Sequence, residues 1–338
     1  MRIGTGQSGS LKEVPEAARR IEEQGYDYFS TGENNHNPFL PITLAAEHTS
    51  QIDLLTSIAL AFARSPMDTA YIAWDLQALS KGRFILGLGS QVRGHIIRRY
   101  DMDWSAPARR MRDYVMSMRA VWDYWQNGGK LDFKSEHFNF NLMPPFFNPG
   151  PIENPNVRVY LAAVNPHMLR VAGEVCDGVL LHPFNTARYT EETILPNIEQ
   201  GAAKAGRTLK DIDVSGGTLI ATGATEEELE TNKQAMRNRI AFYASTKVYA
   251  PVMNAHGWND TAEKLYRMSV EAKWSEMSGE ITDDMLETFA VIGTYDDIVG
   301  RIKERFGKYA NSTTFSIPVR SPEDEERLRA MVKSLQAA

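Results

Sequence analysis

The chain has 338 residues, 43% hydrophobic and 24% charged, which supplies a large core and excludes a disordered polypeptide. A formal net charge of -6 excludes the basic footprint of a non-specific nucleic-acid binder, so no nucleic-acid partner is expected. A single cysteine, Cys176, excludes an intramolecular disulfide and reads as a small buried hydrophobe within a helical pattern.

Strand-like and helix-like segments alternate along the chain. Residues 2–6 form a first strand rather than the apolar core of a secretion signal, and no run reaches membrane-spanning length. A cytoplasmic chain without membrane contact is therefore expected. Val14, Ala18 and Ile21 share one helical face, and Gly25 ends that helix. A second strand is predicted at 26–31, a helix at 41–51 and an apolar third strand at 53–62. The helix at 68–79 stops at Ser80-Lys81-Gly82.

The fourth strand is the most telling segment. Arg83-Phe84-Ile85-Leu86-Gly87-Leu88-Gly89 is apolar throughout, as a strand covered on both faces must be, and then turns polar at Ser90 and Gln91. Gly87 and Gly89 allow close backbone approach, by a ligand or merely by a turn of the chain. The long helix at 107–125 carries one stripe of Met111, Tyr114, Val115, Met118, Val121, Trp122 and Trp125, with Ser105 placed to cap it. Strands follow at 157–164 and 178–182 with a helix over 166–175 between them. Further strands are predicted at 213–221 and 313–319, Thr225 and Glu228 form a capping-box pair, and Ser321-Pro322 opens the last helix.

About eight βα units in this order predict an α/β fold of the (β/α)8 TIM-barrel type rather than an open doubly wound sheet. One domain over 1–338 is expected, with insertions at 128–156, a proline-rich surface loop, and at 225–293, a helical excursion. In a barrel the strand tips gather Glu33, Asn34, Asn35 and His36; Thr56 and Ser57; Ser90, Gln91, Arg93 and His95; Asn165 and His167; His182; and Ser316 and Arg320. Each also has an ordinary reading as a solvated or packing residue. The segment Ala162-Ala163-Val164-Asn165-Pro166-His167 ends a strand and opens a helix, where backbone N–H groups suit a phosphate or serve an ordinary capped helix. No HExxH, CxxC, GxSxG or GxxxxGK[ST] spacing occurs, so no metal site is expected, and the hydrolase and P-loop readings are weak.

Leu54-Leu55-Thr56-Ser57-Ile58, the 74–79 helix, 82–89, Glu136-His137-Phe138, 159–163 and 172–178 together resemble the bacterial-luciferase-like superfamily, specifically its coenzyme F420-dependent oxidoreductases. The resemblance implies a homodimer and a small-molecule substrate. It implies F420, or alternatively FMN in a monooxygenase; a non-catalytic ligand-binding barrel is the third reading. It further implies a third-strand bulge, often with a non-prolyl cis peptide, within Thr56, Ser57, Ile58 and Ala59. A phosphate turn is implied at Ala162, Ala163, Val164, Asn165, His167 and Met168, and cofactor contacts at Gly89, Ser90, Gln91, Arg93 and His95. His36, or Glu33, stands nearest the relatives' acid-base groups. Val92 replaces a glutamate of the sugar-phosphate-oxidising relatives, so that substrate is not implied. Phe146 and Phe147 suggest an apolar or aromatic one.

Overall fold

Every residue of Phe84–Gly89 is buried in the computed structural model, which describes residues 1–7 and 9–337. Burial on both faces is the signature of a parallel sheet covered by helices. The barrel strands are β1 (Arg2–Gly6), β2 (Tyr28–Thr31), β3 (Asp53–Thr56), β4 (Phe84–Gly89), β5 (Arg158–Ala163), β6 (Gly178–Leu181), β7 (Asp213–Gly216) and β8 (Ser312–Thr314). Their order is β3-β2-β1-β8-β7-β6-β5-β4, and β3 also pairs with β4, closing the ring. The fold is a (β/α)8 barrel.

The chain divides into two compact units, Gly4–Leu180 with Asn197–Asp213, and Met1–Ile3 with Leu181–Pro196 and Val214–Ala338. In the first, helices α1 (Val14–Glu23), α2 (Phe39–His48), α3 (Pro66–Leu79), α4 (Arg93–Tyr100), α5 (Pro107–Asn127) and α6 (Pro166–Val175) alternate with the strands. Successive strand residues point to opposite faces. Tyr28, Leu55, Ile85, Tyr160 and Leu180 accordingly meet in one buried cluster, with Ile58 and Ala162 packed against it and only partly covered. Helix α7 (Leu195–Lys204) begins in the second unit and runs from Asn197 onward in the first; the second unit carries the excursion helices α8 (Glu226–Ala244), α9 (Asn259–Val270) and α10 (Asp283–Phe289), and the terminal α11 (Ile298–Phe306) and α12 (Pro322–Gln336).

Several elements differ from the sequence reading. The third strand stops at Thr56 instead of running to 62, for the reason given below. The seventh splits: β7 ends at Gly216, and Ile220–Gly223 pairs with Val291–Thr294 in a separate two-stranded sheet. Gly217 sits in the break, where a Cβ would lie 2.3 Å from the Leu181 carbonyl oxygen. Ser105 does not cap α5; the chain enters that helix through Ala106 at φ 39°, with no side-chain cap. Thr225 accepts the Glu228 N–H as expected, but the Glu228 carboxylate takes the N–H of Ala224, one residue earlier. The 128–156 segment contains a small hairpin, Phe133–Lys134 against Asn139–Phe140, and a 3-10 turn at Pro145–Phe147. Phe146, 91% exposed, packs edge-on against Phe147 at the surface.

Candidate active site

The end of β3 is a bulge, and the pairing register proves it. Leu55 stands opposite Ile85, yet Ala59 stands opposite Leu88, so β3 and its short continuation Ala59–Leu60 carry one residue more than β4 does. The extra length falls on Ser57 and Ile58, and the peptide bond between them is cis. Thr56 spans the gap: its hydroxyl donates to the Gly87 carbonyl at 2.8 Å and accepts the Gly87 N–H at 2.9 Å. Thr56 is fully buried with both roles of its hydroxyl taken, so it offers no polar group to a ligand. Ser57 is exposed. Ile58 packs where a side chain on Gly89 would be; a Cβ there would lie 2.0 Å from Ile58 Cδ1. Glycine at 89 thus seats the bulge.

The loop after β2 pins the same bulge from the other side. The Ser57 N–H donates to the Thr31 carbonyl at 2.6 Å and the Glu33 N–H to the Ile58 carbonyl at 3.1 Å. Glu33 is held by a two-pronged ion pair with Arg64, at 2.7 and 2.8 Å, and accepts the Leu60 N–H at 2.8 Å. Their side chains are 7% and 15% exposed. Burial opposes the charge on Arg64, but the Glu33 hydrogen bonds and charge outweigh it and raise the guanidinium pKa above its ordinary value. His36 lies three residues beyond Glu33 on the exposed part of this loop. Arg99 of α4 donates to the Asn34 carbonyl at 2.8 Å, tying the loop to the βα unit of β4.

Beyond β4, Ser90 and Gln91 turn inward on their own backbone. Ser90 donates to the Gln91 carbonyl at 3.1 Å, and Gln91, at φ 58°, accepts the Val92 N–H through Oε1 at 2.9 Å. Their polar groups shape the entry into α4, whose Arg93 and His95 are exposed. The turn after β5 places Ala162, Val164, Asn165 and Met168 at half-burial, His167 exposed and Ala163 buried. Asn165 occupies the N-cap of α6 in extended conformation without a side-chain cap. The first-turn N–H groups of His167 and Met168 are therefore left to solvent or a ligand.

In the second unit, His182 directly follows β6. Its Nδ1 accepts the Phe184 N–H at 3.0 Å, and its carbonyl accepts from the Asn185 amide. The ring stacks on Tyr249 at 4.5 Å and meets Tyr243 edge-on at 4.7 Å. Burial, and secondarily the charge of Arg239, lower its pKa to about 4.

Comparison with known proteins places this arrangement. The model of the family described as luciferase-like monooxygenase matches residues 1–311. The chain belongs to that family. It is 46% identical over 295 residues to an uncharacterized protein of Mycobacterium tuberculosis, covering 87% of each chain. It is 28% identical over 290 residues to a 5,10-methylenetetrahydromethanopterin reductase of Archaeoglobus fulgidus, covering 84% of this chain and 82% of the other. The structure of the coenzyme F420-dependent tetrahydromethanopterin reductase from Methanopyrus kandleri superposes with a TM-score of 0.77 at 23% identity, over 99% of this chain and 97% of that one. No helix among the described residues is long and apolar enough to cross a membrane.

Within this luciferase-like barrel, sequence reasoning missed Arg64. It stands 31 positions from Glu33, and nothing local marks the pairing. It also left the bulge's cis bond unassigned, because the extra residue is visible only in the pairing register. Cys176 is fully buried, and burial pushes its thiol up to about 12, so it is inert.

Proposed function

We propose that the chain is an F420-dependent oxidoreductase that moves a hydride between the deazaflavin C5 and a small organic substrate. The observation that carries this reading is the half-buried apolar shelf of Ile58 and Ala162 above the packed barrel interior. Exposed Ser57 borders it, and the uncapped first turn of α6 lies at the end of the neighbouring strand β5. A flat ring system with a phosphate-bearing tail fits such a seat: apolar surface for the rings, free N–H groups for the anion. Similarity to the reductases favours the deazaflavin.

The bulge residues Ser57, Ile58 and Ala59, with Gly89 and Ala162, would hold the rings. Ala163, Val164, Asn165 and the N–H groups of His167 and Met168 would hold the phosphate. Arg93 and His95, exposed on the first turn of α4, would meet the acidic tail, while Thr56, Ser90 and Gln91 fix the backbone around it. F420, when bound, supplies the hydride chemistry. His36 carries the accompanying proton, being exposed and, among the described residues, outside every ion pair. Glu33 is a positioning residue, since Arg64 and the Leu60 N–H occupy its carboxylate. The enzyme works as a homodimer.

The second reading, an FMN-dependent monooxygenase, is favoured by the description of the matched family. Anaerobic mixing of F420 and the protein with a panel of alcohols, and of reduced F420 with ketones, tests the choice. A cofactor absorbance change without oxygen supports the first reading; activity only with reduced FMN and oxygen overturns it. His36→Ala should lower turnover about a hundredfold while leaving F420 affinity unchanged in a fluorescence titration.

A further inference from the structure

We infer that His182 is the neutral hydrogen-bond donor of an aromatic-walled subsite within the second unit, and that its Nε2–H binds a carbonyl or hydroxyl oxygen of a small apolar or aromatic organic ligand.

His182 stands one residue beyond the carboxyl end of β6, the end at which barrel enzymes place their chemistry. The backbone N–H of Phe184 donates to Nδ1 at 3.0 Å, so Nδ1 is unprotonated and the ring hydrogen sits on Nε2. Nε2 has no hydrogen-bond partner among the described residues. Tyr249 stacked at 4.5 Å and Tyr243 edge-on at 4.7 Å fix the ring plane and therefore the direction of that N–H. Behind this wall the fully buried Phe184 packs 5.8 Å from Tyr249 and stacks at 4.3 Å on Phe289.

Among the described residues, Arg239, Tyr243 and Tyr249 are the charged and titratable groups that act on or touch the ring. Arg239 stands 5.9 Å from the Tyr243 ring. It joins burial in keeping His182 uncharged. Burial, and then Tyr243, push the Tyr249 phenol up to about 12. Among the described residues of this wall, His182, Tyr243 and Tyr249, none is a carboxylate that could pair with a cationic ligand. The wall fits an oxygen acceptor carried on an apolar or aromatic body.

Nitrogen-edited spectra of the full chain with labelled histidine test the first half. His182 should keep the neutral Nε2–H pattern from pH 8 down to pH 5; a titration centred near 6.5 would overturn the assignment. Acetophenone and ethylbenzene, alike in body but differing in the oxygen, test the second. Acetophenone should shift the His182 Nε2 resonance and ethylbenzene should not. His182→Phe, which keeps the stack, should weaken acetophenone binding about tenfold and leave ethylbenzene unchanged. An equal loss for both probes, or no Nε2 response to acetophenone in the unaltered chain, contradicts the proposal. None of these readouts uses a cofactor, so a failure to bind F420 would remove the F420 reading separately.

Discussion

The tip of β3 and the segment after β6 both end a barrel strand in polar groups, and they use them in opposite ways. At β3, charge is consumed by structure. Glu33 and Arg64 neutralise each other, the Leu60 N–H takes up the same carboxylate, and the Thr56 hydroxyl replaces missing ladder bonds to Gly87. What remains for a ligand there is apolar surface and backbone. After β6, one backbone N–H and stacked rings fix a histidine that stays uncharged, leaving its second nitrogen open. A polar residue at a strand tip is thus chemically available only where its neighbours have not already claimed it.

The largest effect expected from breaking this contrast is at Gly87. A Cβ there would lie 1.8 Å from the Thr56 carbonyl oxygen, a backbone atom that cannot swing away. Gly87→Ala should destabilise the fold by about 5 kcal/mol or prevent its accumulation, read by urea denaturation. Arg64→Ala comes next. It leaves the Glu33 carboxylate nearly buried without its counter-charge, at a cost of about 4 kcal/mol in the same assay; removing both partners together should cost less than removing Arg64 alone.

The β6 side is tested by pH. The His182 pKa is lowered to about 4 in the folded chain, against about 6.5 unfolded. Above pH 6.5 the ring is neutral in both states. Between 6.5 and 4 the unfolded chain takes up a proton that the folded one refuses, so stability falls as pH drops. The loss approaches about 3 kcal/mol near pH 4, and His182→Phe should flatten that part of the profile. The smallest effect belongs to Gly89→Ala. Its new Cβ would clash chiefly with the flexible end of Ile58 and meet the Ala162 Cβ at an ordinary 3.6 Å, so stability should fall by about 1 kcal/mol. F420 affinity should fall more visibly, because Ile58 is displaced from the proposed seat.

Much of this was legible in the sequence, and the parts that were not share a cause. The helix over Pro166–Val175, the strand Arg2–Gly6 and the Ser321 cap of α12 follow from local patterns that the fold leaves intact. The bulge does not: Thr56-Ser57-Ile58-Ala59 reads as continuous strand, and only its pairing with β4 reveals the surplus residue. The same holds for Arg64, whose partner lies in another βα unit, and for Gly217, whose tightness is set by the backbone of Leu181 and His182. Ser90 and Gln91 stand at a strand tip, as the sequence pattern predicts, but their hydrogen bonds close locally rather than outward. Long-range partners decide availability, and a single sequence does not display them.

The central claim is that the Ile58–Ala162 shelf and the open turn of α6 seat a deazaflavin. Equilibrium titration of the purified chain with F420 and with FMN, side by side in one buffer, tests it most directly. F420 should bind at least about a hundredfold more tightly than FMN, a difference of about 2.7 kcal/mol. FMN binding as tightly as F420, or more tightly, would contradict it.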